Sequence, residues 1–268
     1  MNIKKIGALI AILTLSISCE FIKTNNNPTK EIATQVIEEP ATTQVSKGDA
    51  IIAKAIKAHG GTLYDQADYS FTFRKNRYHF KNDGKEFTYD VQLKGANGEN
   101  IKDVIENGTF TRFVNEKAVT LSDKDISKYS QALNSVVYFA TLPHKLMDKA
   151  VHKSYKGTTS IKGLKYDVVE VFFDEEGGGV DHDDTYHYWV NTQTSTIDYL
   201  AYNYTVNGGG ARFRSFYNRR NVGGIIFQDY INWGAHKDTP LAELAVLFEK
   251  GTLKQLSKIE TENVQTTN

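Results

Sequence analysis

The densest set of chemically capable side chains in the sequence is a glycine-rich acidic run between residues 174 and 187. It carries six carboxylates and two histidines, and it contains neither lysine nor arginine. Hard cations such as calcium take about six to eight oxygen ligands on flexible loops, and imidazole nitrogens suit transition metals. The residues predicted to hold a divalent cation are Asp174, Asp181, His182, Asp183 and Asp184. The alternative is a solvated hairpin loop, because the spacing matches no EF-hand and charge runs are usually exposed.

A basic counterpart follows between residues 212 and 220, where four arginines occur without an intervening acidic residue. Arg212 and Arg214 share one face of a predicted strand, because side chains repeat every two residues. Guanidinium groups offer planar forks for carboxylate or phosphate. The residues predicted to bind a ligand are His187, Trp189, Arg212, Arg214 and Asp229. The alternative is that the arginines form structural ion pairs with the acidic run or with Asp229.

Signatures of the common catalytic classes are absent from the sequence. It has no Gly-x-Ser-x-Gly elbow, no P-loop and no Gly-x-Gly-x-x-Gly after a strand. His59 ends an apolar helix face beside Gly60, and we interpret it as a core or cap residue. The 32 basic and 32 acidic residues argue against nucleic-acid binding, which usually requires a basic excess.

The N-terminus has the pattern of an export signal. Lys4 and Lys5 precede an apolar stretch of 12 residues, too short for a bilayer span of about 20. The only cysteine, Cys19, follows Leu15-Ser16-Ile17-Ser18, which resembles a bacterial lipobox, in which the cysteine is diacylated. We therefore predict a lipoprotein signal over 1–18, lipid attachment at Cys19, and an outer-membrane lipoprotein of the cell envelope. Either the periplasm or the cell surface could be the side it faces.

Residues 19–45 predict a flexible tether, because their polar composition cannot bury enough apolar surface to fold. A single β-rich domain is predicted over 46–262. Ser46 and Ser122 begin capping boxes of two helices, and Thr239-Pro240 opens a third. Between them, apolar residues alternate with polar residues, and Asn-Gly, Asp-Gly and Gly-Gly pairs mark hairpin turns.

This pattern predicts a mainly antiparallel protein with about eleven strands and a few helices. No βαβ alternation and no repeat is visible, which excludes doubly wound folds, TIM barrels, solenoids and propellers. The expected fold is a curled open half-barrel with the helices on its concave face. A closed lipocalin-like barrel is the alternative.

The helix ending Ala58-His59-Gly60-Gly61, followed by a long meander, a mid-chain helix and more strands, resembles the LolA/LolB-like lipoprotein-carrier superfamily. The resemblance implies an open half-barrel that binds acyl chains or lipoprotein. The stretch 186–230, with its Arg-Phe-Arg and Tyr-Asn-Arg-Arg segments, looks like an uncharacterised lipoprotein family of Bacteroidota.

Three functions follow as hypotheses. The first is an envelope lipoprotein, anchored to the membrane by acyl chains and monomeric, that binds an apolar or lipid-like ligand in its groove. The second is an envelope enzyme whose polar, metal-assisted pocket combines the acidic run with Arg212 and Arg214. The third is a structural surface lipoprotein. No cofactor is predicted beyond the divalent cation.

Overall fold

Fourteen strands form the body of the protein in the computed structural model, which describes residues 45–174, 184–205 and 208–267. The first six are β1 (Asp68–Phe73), β2 (Asn76–Asp83), β3 (Glu86–Lys94), β4 (Asn100–Glu106), β5 (Thr109–Val114) and β6 (Lys117–Val119). The next four are β7 (Val151–Ile161), β8 (Leu164–Phe173), β9 (Tyr186–Asn191) and β10 (Ile197–Tyr204). The last four are β11 (Gly210–Val222), β12 (Ile225–Ala235), β13 (Lys254–Ile259) and β14 (Glu262–Thr266).

The strands form two antiparallel sheets of seven strands each. The first sheet has the order β14-β1-β2-β3-β4-β5-β6, and the second has the order β13-β12-β11-β10-β9-β8-β7. β6 and β7 end these orders without a further partner strand among the described residues, so the alternative closed barrel does not form. The predicted open, mainly antiparallel fold is confirmed. The strand count exceeds the predicted eleven because short strands such as β6 and β14 have too few residues to show alternation.

Local sequence signals explain the helices. α1 (Lys47–His59) begins where the Ser46 hydroxyl oxygen accepts a hydrogen bond from the Asp49 amide at 3.0 Å. α2 (Asp123–Ala140) begins at Ser122 in the same way, as the capping boxes predict. A third helix, α3 (Leu244–Glu249), follows a short 3-10 turn after Pro240. None of the helices in the described ranges combines the length and hydropathy needed to cross a bilayer.

The helices divide between the two faces of the second sheet. We call the face that packs against α1 and α2 the inner face of each sheet, and the opposite one the outer face. In β8, Val169 and Val171 pack with α1 on the inner face, whereas Tyr166 and Val168 pack with Leu244 of α3 on the outer face. The prediction that the helices lie on one face is therefore correct for α1 and α2. The third helix, α3, instead covers the opposite face.

Candidate functional site

The structure separates the five residues predicted to form one ligand pocket. His187 lies directly opposite Ala201 of β10, while Arg214 lies opposite Leu200. Paired residues share a face, and successive residues of a strand point to opposite faces. Ala201 belongs to the outer core and Leu200 to the inner core. The outer face thus carries His187 and Trp189, and the inner face carries Arg212 and Arg214.

His187 is a buried side chain of the outer core. Its Nε2 lies 3.1 Å from a carboxylate oxygen of Glu170, and its ring contacts Trp189 edge-on at 6.0 Å between centroids. Burial lowers the pKa of His187, an effect that Glu170 partly opposes. His187 and Trp189 therefore stabilise the packing beneath α3 and do not border the inner face.

Asp229 holds the corner between the two sheets. Its carboxylate accepts hydrogen bonds from the Thr261 amide at 3.0 Å and from the Asn218 side chain at 2.6 Å. Arg220 forms an ion pair with it at 3.2 Å. Because Thr261 connects β13 to β14, the buried Asp229 fixes the point where the chain passes from one sheet to the other.

The predicted cation site is described only in part. Asp174 is exposed and accepts a hydrogen bond from His152 Nε2 at 2.7 Å, and Asp184 is buried. Residues 181–183 lie outside the described residues. In the ranges that are described, no three His, Cys, Asp or Glu side chains are grouped to hold a metal ion. The cation site thus stays a prediction.

A cavity of about 170 Å³ lies on the inner face between α2 and β11–β13. Its apolar wall consists of Phe73, Val136, Phe139, Ala140, Tyr230 and Ile259. Its polar lining residues are Arg74, Ser135, Arg214 and Thr261. The helical spacing of residues 136, 139 and 140 directs one stripe of α2 towards the sheet. An apolar cavity of about 150 Å³ accommodates benzene, so a short apolar segment fits here.

Two cations line this cavity: Arg74, which is exposed, and Arg214, which is 7% exposed. The Nη2 of Arg214 donates a hydrogen bond to the Tyr202 hydroxyl at 3.0 Å. Its Nε and Nη1 are buried and have no hydrogen-bond partner in the described part of the chain. The guanidinium carbon lies 4.0 Å from the ring centroid of Phe139, 5.1 Å from Tyr202 and 5.5 Å from Tyr230. Three aromatic rings therefore surround a cation that lacks an anionic partner among the described residues.

Three other arginines among the described residues do have carboxylate partners. Arg112 binds Asp103 through two hydrogen bonds of 2.6 and 2.7 Å. Arg219 pairs with Asp198 at 2.5 Å, and Arg220 pairs with Asp229. The predicted ion pair with Asp229 is therefore present for Arg220, whereas Arg219 pairs with Asp198, which lies outside the acidic run. Arg212 instead donates to the Ala211 carbonyl and the Tyr204 hydroxyl.

Phenol groups, which are neutral at physiological pH, surround the guanidinium of Arg214. Burial raises the pKa of Tyr230 and raises that of Tyr188 well above its ordinary value, although Arg214 lowers both. The Tyr230 hydroxyl donates to the Phe139 carbonyl oxygen, and the hydroxyls of Tyr138 and Tyr188 lie 3.4 Å apart. None of these groups supplies the negative charge that a buried guanidinium requires.

A second cavity, of about 940 Å³, lies at the end of the first sheet where the turns β1–β2, β3–β4 and β5–β6 meet. Its cationic lining residues are Arg74, Lys75, Arg77, Lys94 and Lys102, and its one acidic lining residue is Glu116. Of the five cations, only Lys102 forms an ion pair with a described carboxylate, at 3.8 Å from Asp90. This second cavity, which we call the groove, is therefore electropositive and attracts anions.

The β1–β2 turn of that groove has an unusual residue choice. Arg74 and Lys75 have φ values of 48° and 72°, the two positive values of a type I′ turn. Such turns favour Asn-Gly, since side chains with a Cβ are strained at positive φ. Sequence reasoning missed this turn for that reason. Sequence reasoning also missed the inner cavity, because its walls come from segments that are far apart in the sequence. The apolar stripe of α2 indicated only that this helix packs against another part of the protein.

The geometry defines the class of protein: an open antiparallel half-barrel whose inner face is covered by two helices. The chain belongs to a family of unknown function, DUF6503, whose model matches residues 40–261. Among curated proteins, no sequence matches the chain.

Solved structures similar to the chain have low sequence identity. A LolA superfamily protein from Nitrosomonas europaea is 12% identical, with 82% of this chain and 94% of that one covered and a TM-score of 0.48. A DUF1329 family protein from Desulfovibrio piger is 11% identical, with coverage of 82% and 93% and a TM-score of 0.42. The lipoprotein LppX of Mycobacterium tuberculosis is 9% identical, with coverage of 60% and 88% and a TM-score of 0.28. The superfamily that the sequence resembles is thus among these structural neighbours.

Proposed function

We propose that this protein is an envelope lipoprotein that binds an apolar or lipid-like ligand on its inner face, between α2 and the second sheet. The observation that carries the proposal is the inner cavity, whose wall is formed largely by aromatic and aliphatic side chains. Ligand sites are typically concave and mostly apolar, with a few placed polar groups. The same ligand class is implied by the resemblance of the sequence to lipoprotein carriers.

Binding of a longer chain requires that the cavity grow, and α2 is the element suited to move. Only three of its 18 residues are buried, whereas five of the 13 residues of α1 are buried. Elements with few buried apolar contacts open at lower free energy than the core does. Outward movement of α2 would extend the cavity along the inner face of the sheets.

The location is part of the proposal and rests on the sequence. Cys19 lies outside the described residues, after the predicted export signal. Several acyl chains on this residue would give stable membrane anchoring, whereas one chain gives only marginal binding. A flexible tether of about 25 residues would let the domain reach roughly 25–30 Å from the membrane surface.

Native mass spectrometry of protein extracted from the envelope tests the proposal, together with titration of a fluorescent fatty-acid probe. Val136→Trp fills the cavity from α2, so we expect probe affinity to fall at least about tenfold. Val246→Trp is the matched control, because Val246 is exposed on α3 and does not line the cavity.

Retained probe binding in Val136→Trp, with circular dichroism showing an intact fold, would contradict the proposed site. Absence of both co-purified lipid and probe uptake in the unaltered protein would contradict lipid binding itself. The enzyme hypothesis has less support, because His187 and the two arginines of its proposed pocket lie on opposite faces of the second sheet.

A further inference from the structure

We infer that Arg214 is the anion-binding group of the inner cavity, so that the ligand is an amphiphile with a carboxylate or phosphate at one end of an apolar chain. The inference rests on the proposed function and specifies the ligand class of the same site. Arg214 lines the cavity, and two buried nitrogens of its guanidinium lack hydrogen-bond partners among the described residues.

The argument begins with the cost of the buried charge. A buried ion without a partner is costly by several kcal/mol, and proteins normally pair it or bind an ion to it. Arg112 follows that rule through the buried carboxylate of Asp103. Arg214 is more deeply buried than Arg112, yet its one hydrogen-bond partner in the described structure is the neutral Tyr202 hydroxyl. An oxyanion on the ligand would complete its environment.

The aromatic rings explain how the charge is tolerated before the ligand binds. Cation–π contacts stabilise a guanidinium through its flat faces and leave its N–H groups free for hydrogen bonds in its plane. Phe139 and Tyr230 contact Arg214 and also line the cavity. Arg214, whose guanidinium keeps unpartnered N–H groups, therefore lines a space formed mostly by apolar groups, which is the complement of an anionic amphiphile.

Three ligands of equal chain length test the inference: dodecanoic acid, dodecyl phosphate and dodecanol. Calorimetric titration of the full-length protein should give at least about tenfold tighter binding for one of the two anions than for the alcohol, because charge-assisted hydrogen bonds are the strong ones. The comparison of the two anions tells a carboxylate ligand from a phosphate ligand. It requires no variant and therefore does not depend on whether a substitution folds.

Arg214→Gln should remove most of the preference for the anion and leave the affinity for dodecanol within about twofold, while Arg214→Lys should retain more of the preference. Arg212→Gln is the matched control, because Arg212 lies on the same strand and face but does not line the cavity. Equal binding of all three ligands, or an anion preference that persists undiminished in Arg214→Gln, would overturn the inference alone. Failure of the unaltered protein to bind any of the three would overturn the proposed function as well.

Discussion

The guanidinium carbon of Arg214 lies 4.0 Å from the centre of the Phe139 ring, so the last turn of α2 rests directly on the charge. The carbonyl oxygen of the same Phe139 accepts a hydrogen bond from Tyr230. Movement of α2 would disturb both contacts together. The helix that closes the cavity is therefore coupled to the side chain that we assign to anion binding.

Arg214→Met should stabilise the ligand-free protein, because it removes a buried charge for which the described part of the chain supplies no anionic partner. We expect the free energy of unfolding to rise by about 1 kcal/mol. Arg112→Met is the matched comparison, and it should lower that free energy by about 3 kcal/mol, since it leaves the Asp103 carboxylate buried and unpaired. Urea unfolding measures both changes. A loss of stability in Arg214→Met equal to that in Arg112→Met would show that Arg214 has a compensating partner.

The β1–β2 turn should become more stable when its residues match its geometry. Replacement of Arg74-Lys75 by Asn-Gly removes the strain of two residues at positive φ and should raise the free energy of unfolding by about 1 kcal/mol. The change also relieves repulsion among the cations of the groove, so part of the gain should disappear at high salt.

The matched control is Glu116→Gly in the turn after β5, where Asn115 and Glu116 also have positive φ. This substitution relieves strain but removes the one acidic lining residue of the groove, so its gain should grow with salt instead of falling. Equal salt dependence of the two variants would contradict the role of cation repulsion in the groove.

His79 should stabilise the fold below neutral pH. Its ring nitrogens contact Asp90 and Asp68, each at 2.9 Å. The hydrogen bond with Asp90, and then that with Asp68, raises the pKa of His79, although burial opposes the rise. The protonated form is bound more tightly in the folded protein, so its contribution is complete below about pH 6.5 and is lost as the pH rises through the folded pKa.

The measurement compares unfolding of the unaltered protein and His79→Gln at about pH 5.5 and about pH 9, where the difference should shrink. Asp90→Asn should lower the pKa of His79 seen by NMR. A difference that is independent of pH would mean that the imidazolium pairs contribute no stability.

The contribution of His59 to stability should depend on pH in the opposite direction to that of His79. Burial, and secondarily Arg219, lowers its pKa to about 4, and its Nε2 accepts a hydrogen bond from the Ile197 amide at 3.2 Å. Protonation therefore favours the unfolded chain: the contribution of His59 is complete above about pH 6.5 and is lost as the pH falls towards 4. His59→Gln should flatten the loss of stability over this interval. His236→Gln, at an exposed loop position, should leave the profile unchanged.

Cys19→Ser should abolish acyl labelling and release the protein from the membrane fraction, because it removes the predicted attachment atom. The measurement is metabolic labelling with a fatty-acid analogue, followed by fractionation. Continued membrane association of the variant would contradict lipid anchoring at this residue.

Local signals in the sequence predict much of the fold. Ser46 and Ser122 mark both helix starts, and Asn107-Gly108 marks a hairpin turn that the structure contains. These features depend on neighbouring residues alone. β14 was not anticipated, because five residues with exposed side chains on both faces carry no alternation.

The candidate site depends on pairing between strands, which the sequence does not reveal. Alternation correctly places Arg212 with Arg214 and His187 with Trp189. Whether these two pairs of residues lie on the same face of the sheet depends on the register across β10, where Ala201 opposes His187 on the outer face. The absence of a carboxylate beside Arg214 likewise depends on residues brought together by folding.

The packing of α1 against β7 bears on self-association. β7 is a long edge strand, and unpaired edges invite addition of a strand from another molecule. Gly48 lets α1 approach so closely that a Cβ there would lie 2.9 Å from the Lys153 carbonyl oxygen, and Asp49 pairs with Lys153 at 3.1 Å. A bulge between Tyr155 and Gly157 interrupts the rest of the edge. Helix and bulge together leave no long flat edge on β7 for a second molecule, which protects the described domain from sheet-to-sheet aggregation at this strand.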